Sequence, residues 1–408
     1  MAEESGPLVI SDDKSDALPT KAGLQHVLTY RPDIDGLRTV AVFSAILFHC
    51  DNVIFPWGYT GVDIFFVISG YLITGILLKQ SAKSTFTYAD FYSRRIRRIF
   101  PTLLLVIGTS VVLGLLLYPK PERRELAFKS FCATVFGVNF AMVFTEESSL
   151  VQSKFVNPLE HFWSLSVEEQ YYIFWPFVVA LLVRLRPVAA VAVQLVLFAI
   201  FFGTHVLLYV YFQPPPPIDL NFYQYFISPS RFWNMSAGGL LAYATFLRSS
   251  SPWIFSPCFA SFLSLFGMLL LAIPVVLMKS RDETPGLWTV FPVFGTVLLI
   301  LAGMNSVLNK YVLATPPFVF LGKISYALYM WHYPLLHFVP YIHPTEPQPV
   351  YLQPYSVVAF SILLSIPTVK LLEDPIRIYK PRLAVPLLAL GMVITSAASL
   401  AWYIDLSQ

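Results

Sequence analysis

Long apolar runs recur from one end of the chain to the other, and they constrain its fold more than any other feature. A helix that crosses a bilayer needs about 20 mostly apolar residues. The candidate segments are 37–54, 60–79, 99–118, 126–145, 161–185, 188–212, 231–247, 258–279, 286–304, 317–340, 351–372 and 383–404. Only 12% of the 408 residues are charged, about half the share in soluble domains. We therefore predict an all-α fold, a polytopic transmembrane helical bundle of about 10–12 spans.

The polar parts of the chain are too short for a soluble domain of useful size. Residues 1–29 are polar and acidic and lack the apolar core of a signal peptide, so we predict a disordered N-terminal tail. Residues 30–380 form the predicted transmembrane domain, and 381–408 add a C-terminal transmembrane helix with a short tail. The net charge of +3 gives no nucleic-acid signal, and the Cys and His spacing predicts no metal site.

Basic residues near span ends predict orientation, because cytoplasmic loops carry an excess of Lys and Arg. Segment 79–98 holds two Lys and four Arg residues. We expect this segment and the N-terminus to be cytoplasmic, and the turn at 55–59 to lie outside. The predicted location is the plasma (inner) membrane.

Ionisable residues inside the first span point to function, since such groups are costly in lipid. Arg38 and His49 are eleven residues apart, which places them within about 20° on one helix face and about 16.5 Å apart along the axis. A helical hairpin then brings Asp63, on the returning span, to the depth of His49. We predict a catalytic pair in which Asp63 orients the imidazole of His49. The alternative is a pair that only specifies packing.

The stretch FYSRRIRRIFP contains two interleaved Arg-x-x-Arg pairs, Arg94 with Arg97 and Arg95 with Arg98. On a helix, residues three apart share a face, so the guanidinium groups can bind a phosphate from two sides. The alternative interpretation is a set of topology anchors at the cytoplasmic edge. Spacing alone does not separate the two.

Two further stretches carry polar side chains into apolar spans. Glu168 and Glu169, in HFWSLSVEEQYYIFWP, point in different directions on a helix and are candidates for a base, a proton relay or an orienting group. The alternative is an interhelical lock with Arg or Lys. In FLGKISYALYMWHYPLLHF, Lys323 stands at a span entrance and either joins the predicted donor-binding set or snorkels to the surface. His332 is a weaker functional candidate than His49.

Taken in order, these stretches resemble the acyltransferase type 3 family, the integral membrane O-acyltransferases of the O-antigen and peptidoglycan O-acetylase kind. The resemblance covers about residues 30–340 and rests on RPDIDGLR, FH, GYTGVDIFFVISGYLIT, FYSRRIRRIFP, HFWSLSVEEQYYIFWP and LGKISYALYMWHYPL. It implies a membrane enzyme that moves an acyl group, commonly acetyl, from cytoplasmic acyl-CoA to a hydroxyl of a cell-surface glycan. No permanently bound cofactor is implied.

The resemblance also implies roles for individual residues. The family's Arg-x10-His motif falls on Arg38 and His49, and its acidic position falls on Glu168 and Glu169. Its Arg-x-x-Arg motif, associated with the donor nucleotide, falls on 94–98, which favours phosphate binding there. We predict that Arg38 helps to bind the same phosphates.

Many relatives that modify surface glycans continue into an extracytoplasmic, hydrolase-like transferase domain. This sequence ends soon after the last predicted span, so we expect a stand-alone membrane unit or one part of a longer or split system with a separate extracytoplasmic transferase. The competing class is a proton-coupled transporter or flippase of a glycan or lipid-linked substrate, because such carriers also use intramembrane acids and His residues.

Overall fold

The fold is built from helices. The computed structural model of the protein describes residues 30–145, 155–211, 225–248, 253–278, 286–345 and 347–408. The helices are α1 (Pro32–Cys50), α2 (Thr60–Ala82), α3 (Tyr88–Leu117), α4 (Lys120–Thr134), α5 (Val138–Thr145), α6 (Phe162–Leu182), α7 (Pro187–Tyr211), α8 (Phe232–Leu247), α9 (Pro257–Leu277), α10 (Val290–Ala302), α11 (Pro316–Ile342), α12 (Pro354–Pro367), α13 (Asp374–Tyr379) and α14 (Ala384–Ser407). Within those described ranges there is no strand, which confirms the predicted all-α class.

Seven helical segments of the described chain are long and apolar enough to cross a membrane. They are Thr60–Ala82, Tyr88–Leu117, Pro187–Tyr211, Pro257–Leu277, Leu287–Asn305, Pro354–Tyr379 and Ala384–Ser407. These segments make the chain a multi-pass membrane protein. Helices α1, α6 and α11 have similar lengths but carry more polar and aromatic side chains. They lie largely inside the bundle, where neighbouring helices replace lipid around those groups.

Helix α3 begins at Tyr88, well before the predicted start at residue 99. The hydroxyl of Thr87 accepts a hydrogen bond from the backbone N–H of Asp90 at 3.2 Å, a typical N-terminal cap. The arginines at 94–98 therefore lie on the first turns of a long helix, not in a loop. Apolar runs alone miss this start because the capped turns are polar.

The predicted span 126–145 is also wrong as a single helix. The structure has α4 and α5 there, with a break in which Phe136 takes the left-handed backbone conformation (φ 53°) beside Gly137. Helix α4 starts with charged residues and packs against α14, which covers it from outside.

Close packing of α2 against α8 and of α1 against α11 forms the centre of the bundle. Glycines permit it: a Cβ added at Gly70 would collide with the carbonyl oxygen of Met235 on α8. A Cβ at Gly322 would likewise collide with the carbonyl of Asp35 on α1. Small residues let membrane helices approach at the backbone, so these contacts fix the depth of α1 and α2 relative to their partners.

The predicted tail 1–29 lies outside the described residues. The orientation across the membrane, the choice of membrane and the domain boundaries stay predictions.

Candidate active site

A cavity of about 390 Å³ lies between α1, α2, α3, α6 and α11. On α2 its lining extends from Val62 to Ile76, which corresponds to about 21 Å along the helix axis. We call it the arginine cavity because its basic lining residues are Arg38, Arg94, Arg95, Arg97, Arg98, Arg377 and Lys380. All five predicted phosphate-binding arginines thus meet in one place, although α1 and α3 are far apart in sequence.

Several of these cations already have acidic partners. Arg95 donates to Glu169 at 2.7 Å, and its guanidinium lies 3.9 Å from the centre of the Tyr172 ring. Arg94 pairs with Asp90 one turn earlier on α3. Arg38 is 4.0 Å from Asp35, too far for a hydrogen bond.

Other basic side chains of the cavity have no acidic partner within the described part of the chain. Arg97, Arg98 and Lys380 belong to this group. Lys380 is exposed, but Arg97 and Arg98 are half-buried, and a half-buried cation without a counter-ion is costly unless an anion binds beside it. This end of the cavity is therefore suited to an anionic ligand.

Sequence reasoning missed Arg377 and Lys380. In the sequence, LLEDPIR at 371–377 predicts only a capped or salt-bridged helix end, and Arg377 does pair with Asp374 at 2.6 Å. A six-residue π-helical turn, Thr368–Glu373, precedes α13 and carries it to the cavity. The basic residues just after this turn are the only sequence signal for the contact.

The two predicted glutamates have different surroundings. Glu168 lines the cavity and accepts hydrogen bonds from the hydroxyls of Ser69, at 2.6 Å, and Tyr172. Glu169 is buried and joins α6 to Arg95 on α3, which is the interhelical lock considered above. Their predicted catalytic role stays a prediction, and the geometry favours Glu168 because it faces the cavity.

The structure places Lys323 outside the cavity lining. This residue is exposed, and its ammonium lies 5.4 Å from the centre of the Tyr30 ring. The surface alternative fits this position, because a long basic side chain reaches the polar boundary from a span end.

The structure does not pair His49 with Asp63 as predicted, and a catalytic role for Asp63 stays a prediction. Asp63 is fully buried and accepts hydrogen bonds from Arg231, in an ion pair, and from Asn234 at 2.6 Å. Both partners stand at the start of α8, which packs along α2. A charged residue opening the apolar run 231–247 was the available signal for Arg231. Helix depth alone does not say which neighbour a carboxylate faces.

His49 instead meets a second histidine, His332 on α11. The Nδ1 atom of His49 lies 2.8 Å from Nε2 of His332, and the two rings stack with centroids 5.1 Å apart. The other nitrogen of His332, Nδ1, is 3.2 Å from the carbonyl oxygen of Leu328. A carbonyl oxygen only accepts, so Nδ1 of His332 holds a proton and Nε2 of the neutral ring accepts from His49. The proton of neutral His49 is then on Nδ1, and its Nε2 carries the lone pair.

His161 completes what we call the histidine cluster, which consists of His49, His161 and His332. The ring of His161 lies 5.7 Å from that of His332, centre to centre. Between this cluster and the arginine cavity lie Ser164 and Tyr329, whose hydroxyls are 2.8 Å apart and belong to the cavity lining. The cavity thus ends one side chain away from the cluster.

Comparison with known proteins identifies the family. The family model described as "Acyltransferase domain" matches residues 31–399. The chain belongs to this acyltransferase family. That confirms the predicted family.

The chain is also similar to proteins of Staphylococcus aureus. This acyltransferase chain is 28% identical over 357 residues to "O-acetyltransferase OatA" of strain NCTC 8325 / PS 47, covering 85% of this chain and 57% of that protein. It is also 28% identical over 367 residues to "Putative O-acetyltransferase SAS0844" of strain MSSA476, covering 86% of this chain and 58% of that protein. The chain thus spans less than two thirds of these relatives' length. No solved structure matches the chain.

Proposed function

We propose that this membrane protein transfers an acyl group, in the first place acetyl, from cytoplasmic acyl-CoA to a hydroxyl of a cell-surface glycan or a related acceptor. One observation carries the proposal: a cavity lined by seven basic side chains, three of which have no acidic partner in the described chain, ends beside a paired histidine. CoA joins phosphates to a thioester through a long, flexible arm. The cavity, about 21 Å long by the helix rise, suits that shape.

Donor binding is the first proposed step. The phosphates of acyl-CoA lie against Arg97 and Arg98, which have no acidic partner in the described chain, and against Arg38. Guanidinium groups bind phosphate oxygens through charge-assisted hydrogen bonds. The pantetheine arm follows the apolar wall of the cavity, and the thioester reaches Ser164 and Tyr329 at its far end.

Acyl transfer is the second proposed step. The acceptor hydroxyl donates its proton to Nε2 of His49, and its oxygen attacks the thioester carbonyl carbon. The C–O bond forms and the C–S bond breaks. His49 then returns the proton to the departing thiolate, which leaves as CoA thiol. His332 holds His49 in the tautomer that this role needs.

The chemical nature of the acceptor is proposed from the similar proteins and from the family resemblance. One of these proteins is named "O-acetyltransferase OatA" and another "Putative O-acetyltransferase SAS0844", and this chain covers 57% and 58% of them. The names support a hydroxyl as the acceptor group; the glycan, and a separate extracytoplasmic transferase as a partner for the final step, are proposed from the family resemblance. His49 is only half-buried, unlike His332, which suits an acceptor that arrives from the side away from the arginines.

Reconstitution tests the function. Purified protein in liposomes receives acetyl-CoA labelled in the acetyl group, and a thiol reagent measures released CoA. We expect wild-type protein to release CoA and to lose about 10²–10⁴-fold of that rate on His49→Ala. A transporter would move intact substrate without release of CoA. Wild-type release rates from a folded His49→Ala protein would show that His49 is not the base.

A further inference from the structure

The ring of His161 forms fewer hydrogen bonds than the rings of the other two histidines of the cluster. Only 1% of its surface is exposed, and rings of Phe162, Tyr329, His332 and Tyr333 lie within 6 Å of its ring centre. Neither ring nitrogen has a hydrogen-bond partner within the part of the chain that the structure describes. The backbone of Met330 is close to the ring, but no hydrogen bond of normal geometry joins them.

Burying an imidazole without partners is unfavourable. An unsatisfied buried polar group costs about 1–3 kcal/mol, and native proteins keep few of them outside functional sites or water sites. A phenylalanine would fill the same aromatic surroundings without that cost. The imidazole is therefore better explained by a ligand atom that enters during the reaction.

The neighbours of His161 have other hydrogen bonds. Tyr329 shares its hydroxyl with Ser164 at 2.8 Å and donates to the backbone carbonyl of His161 at 3.1 Å. His332 is engaged at both nitrogens, by His49 and by the carbonyl of Leu328. Of the groups between the far end of the arginine cavity and His49, His161 is the one whose ring nitrogens have no hydrogen-bond partner in the described chain.

We propose that His161 is a catalytic residue that donates a hydrogen bond from its ring N–H to the carbonyl oxygen of the acyl thioester. This inference rests on the proposed function. An imidazole has at least one N–H in either protonation state. As the acceptor oxygen attacks, the carbonyl oxygen becomes an oxyanion, and the N–H of His161 stabilises that charge until the C–S bond breaks and CoA thiolate leaves. Preorganised donors at a developing oxyanion lower barriers most in sites that exclude water.

Two substitutions at His161 test the proposal in the reconstituted full-length protein. His161→Leu fills the space but removes the donor, whereas His161→Gln keeps an N–H. Two quantities are measured: the binding of acetyl-CoA and the rate of CoA release. CoA is released whether the acetyl group passes to the acceptor hydroxyl or to water. We expect His161→Leu to lower kcat about 10²–10³-fold, with acetyl-CoA binding within threefold of wild type. The kcat of His161→Gln should be at least tenfold higher than that of His161→Leu.

The outcomes separate this inference from the proposed function. Absence of CoA release from wild-type protein overturns the proposed function and the inference with it. If the wild type is active and folded His161→Leu has a kcat within threefold of it, the oxyanion role is wrong and a resident water explains the ring. If His161→Leu loses acetyl-CoA binding or thermal stability in parallel with activity, and His161→Gln does so equally, the residue is structural and the proposal is overturned.

Discussion

His332 accepts a hydrogen bond from His49 across the interface of α1 and α11, with 2.8 Å between the two nitrogens. In the proposed mechanism His332 has the place that the sequence suggested for Asp63. The bond joins residues 283 positions apart, and it relies on the close approach of α1 and α11 at Gly322. Because Leu328 fixes the far nitrogen of His332, a backbone carbonyl ultimately sets the tautomer of His49.

Removing this partner should impair catalysis and spare donor binding. Replacing His332 with Phe keeps a flat ring but no acceptor, so Nδ1 of His49 loses its fixed proton. We expect a fall in kcat of about 10- to 100-fold, by analogy with lost orienting partners of metal-bound histidines. His332→Gln retains an amide oxygen that accepts from His49, and should lose less. Rates of CoA release compared with acetyl-CoA affinity measure the effect, and equal rates for Phe and Gln variants would contradict it.

Arg98 and Lys323 form a matched pair for donor binding. Both were predicted to bind the donor, but only Arg98 lines the cavity. A hydrogen bond to a charged group contributes about 1.5–3 kcal/mol, so Arg98→Ala should weaken acetyl-CoA binding about 10- to 150-fold. Lys323→Ala should leave it within twofold. Titration calorimetry in detergent at two salt concentrations measures both, and a larger effect at Lys323 would refute the placement of the donor.

Asp63 should affect stability more than chemistry. Removing one partner of a buried ion pair costs about 3–5 kcal/mol, and Asp63 and Arg231 are both fully buried. Asp63→Leu should therefore lower the unfolding midpoint strongly. The double variant Asp63→Leu with Arg231→Leu should recover much of the loss. Denaturant unfolding in detergent, with CoA release scaled to folded protein, checks this. A stable Asp63→Leu protein without activity would favour the catalytic interpretation instead.

The close approach of α2 and α8 at Gly70 gives a structural test. A Cβ there meets the backbone carbonyl of Met235, which no rotamer change can relieve. We expect Gly70→Leu to prevent close packing of α2 on α8 and to yield little folded protein. Gly108→Ala is the control: it is exposed on α3 with no atom within 4 Å of the added Cβ. Its stability should change by less than about 1 kcal/mol. Size-exclusion profiles and unfolding midpoints of the two variants provide the measurement.

Sequence reasoning succeeded where a property belongs to one segment. Apolar length located the helices, and the Arg-x-x-Arg spacing placed four cations on one short stretch of α3. It also identified His49 as an ionisable group that an apolar span would otherwise exclude. It failed at the start of α3, where a polar capped turn carries no hydropathy signal, and at the break between α4 and α5.

By itself, then, the sequence determined the helical class, the run of apolar spans and the presence of arginines and a histidine within them. These follow from hydropathy and from the 3.6-residue period, which act within a single helix. Only the tertiary structure decided the partners: His49 with His332, Asp63 with Arg231, and Arg377 at the same cavity as Arg98. Such pairings depend on which helix faces are neighbours at a given depth, and that is set by backbone contacts such as Gly70 against Met235.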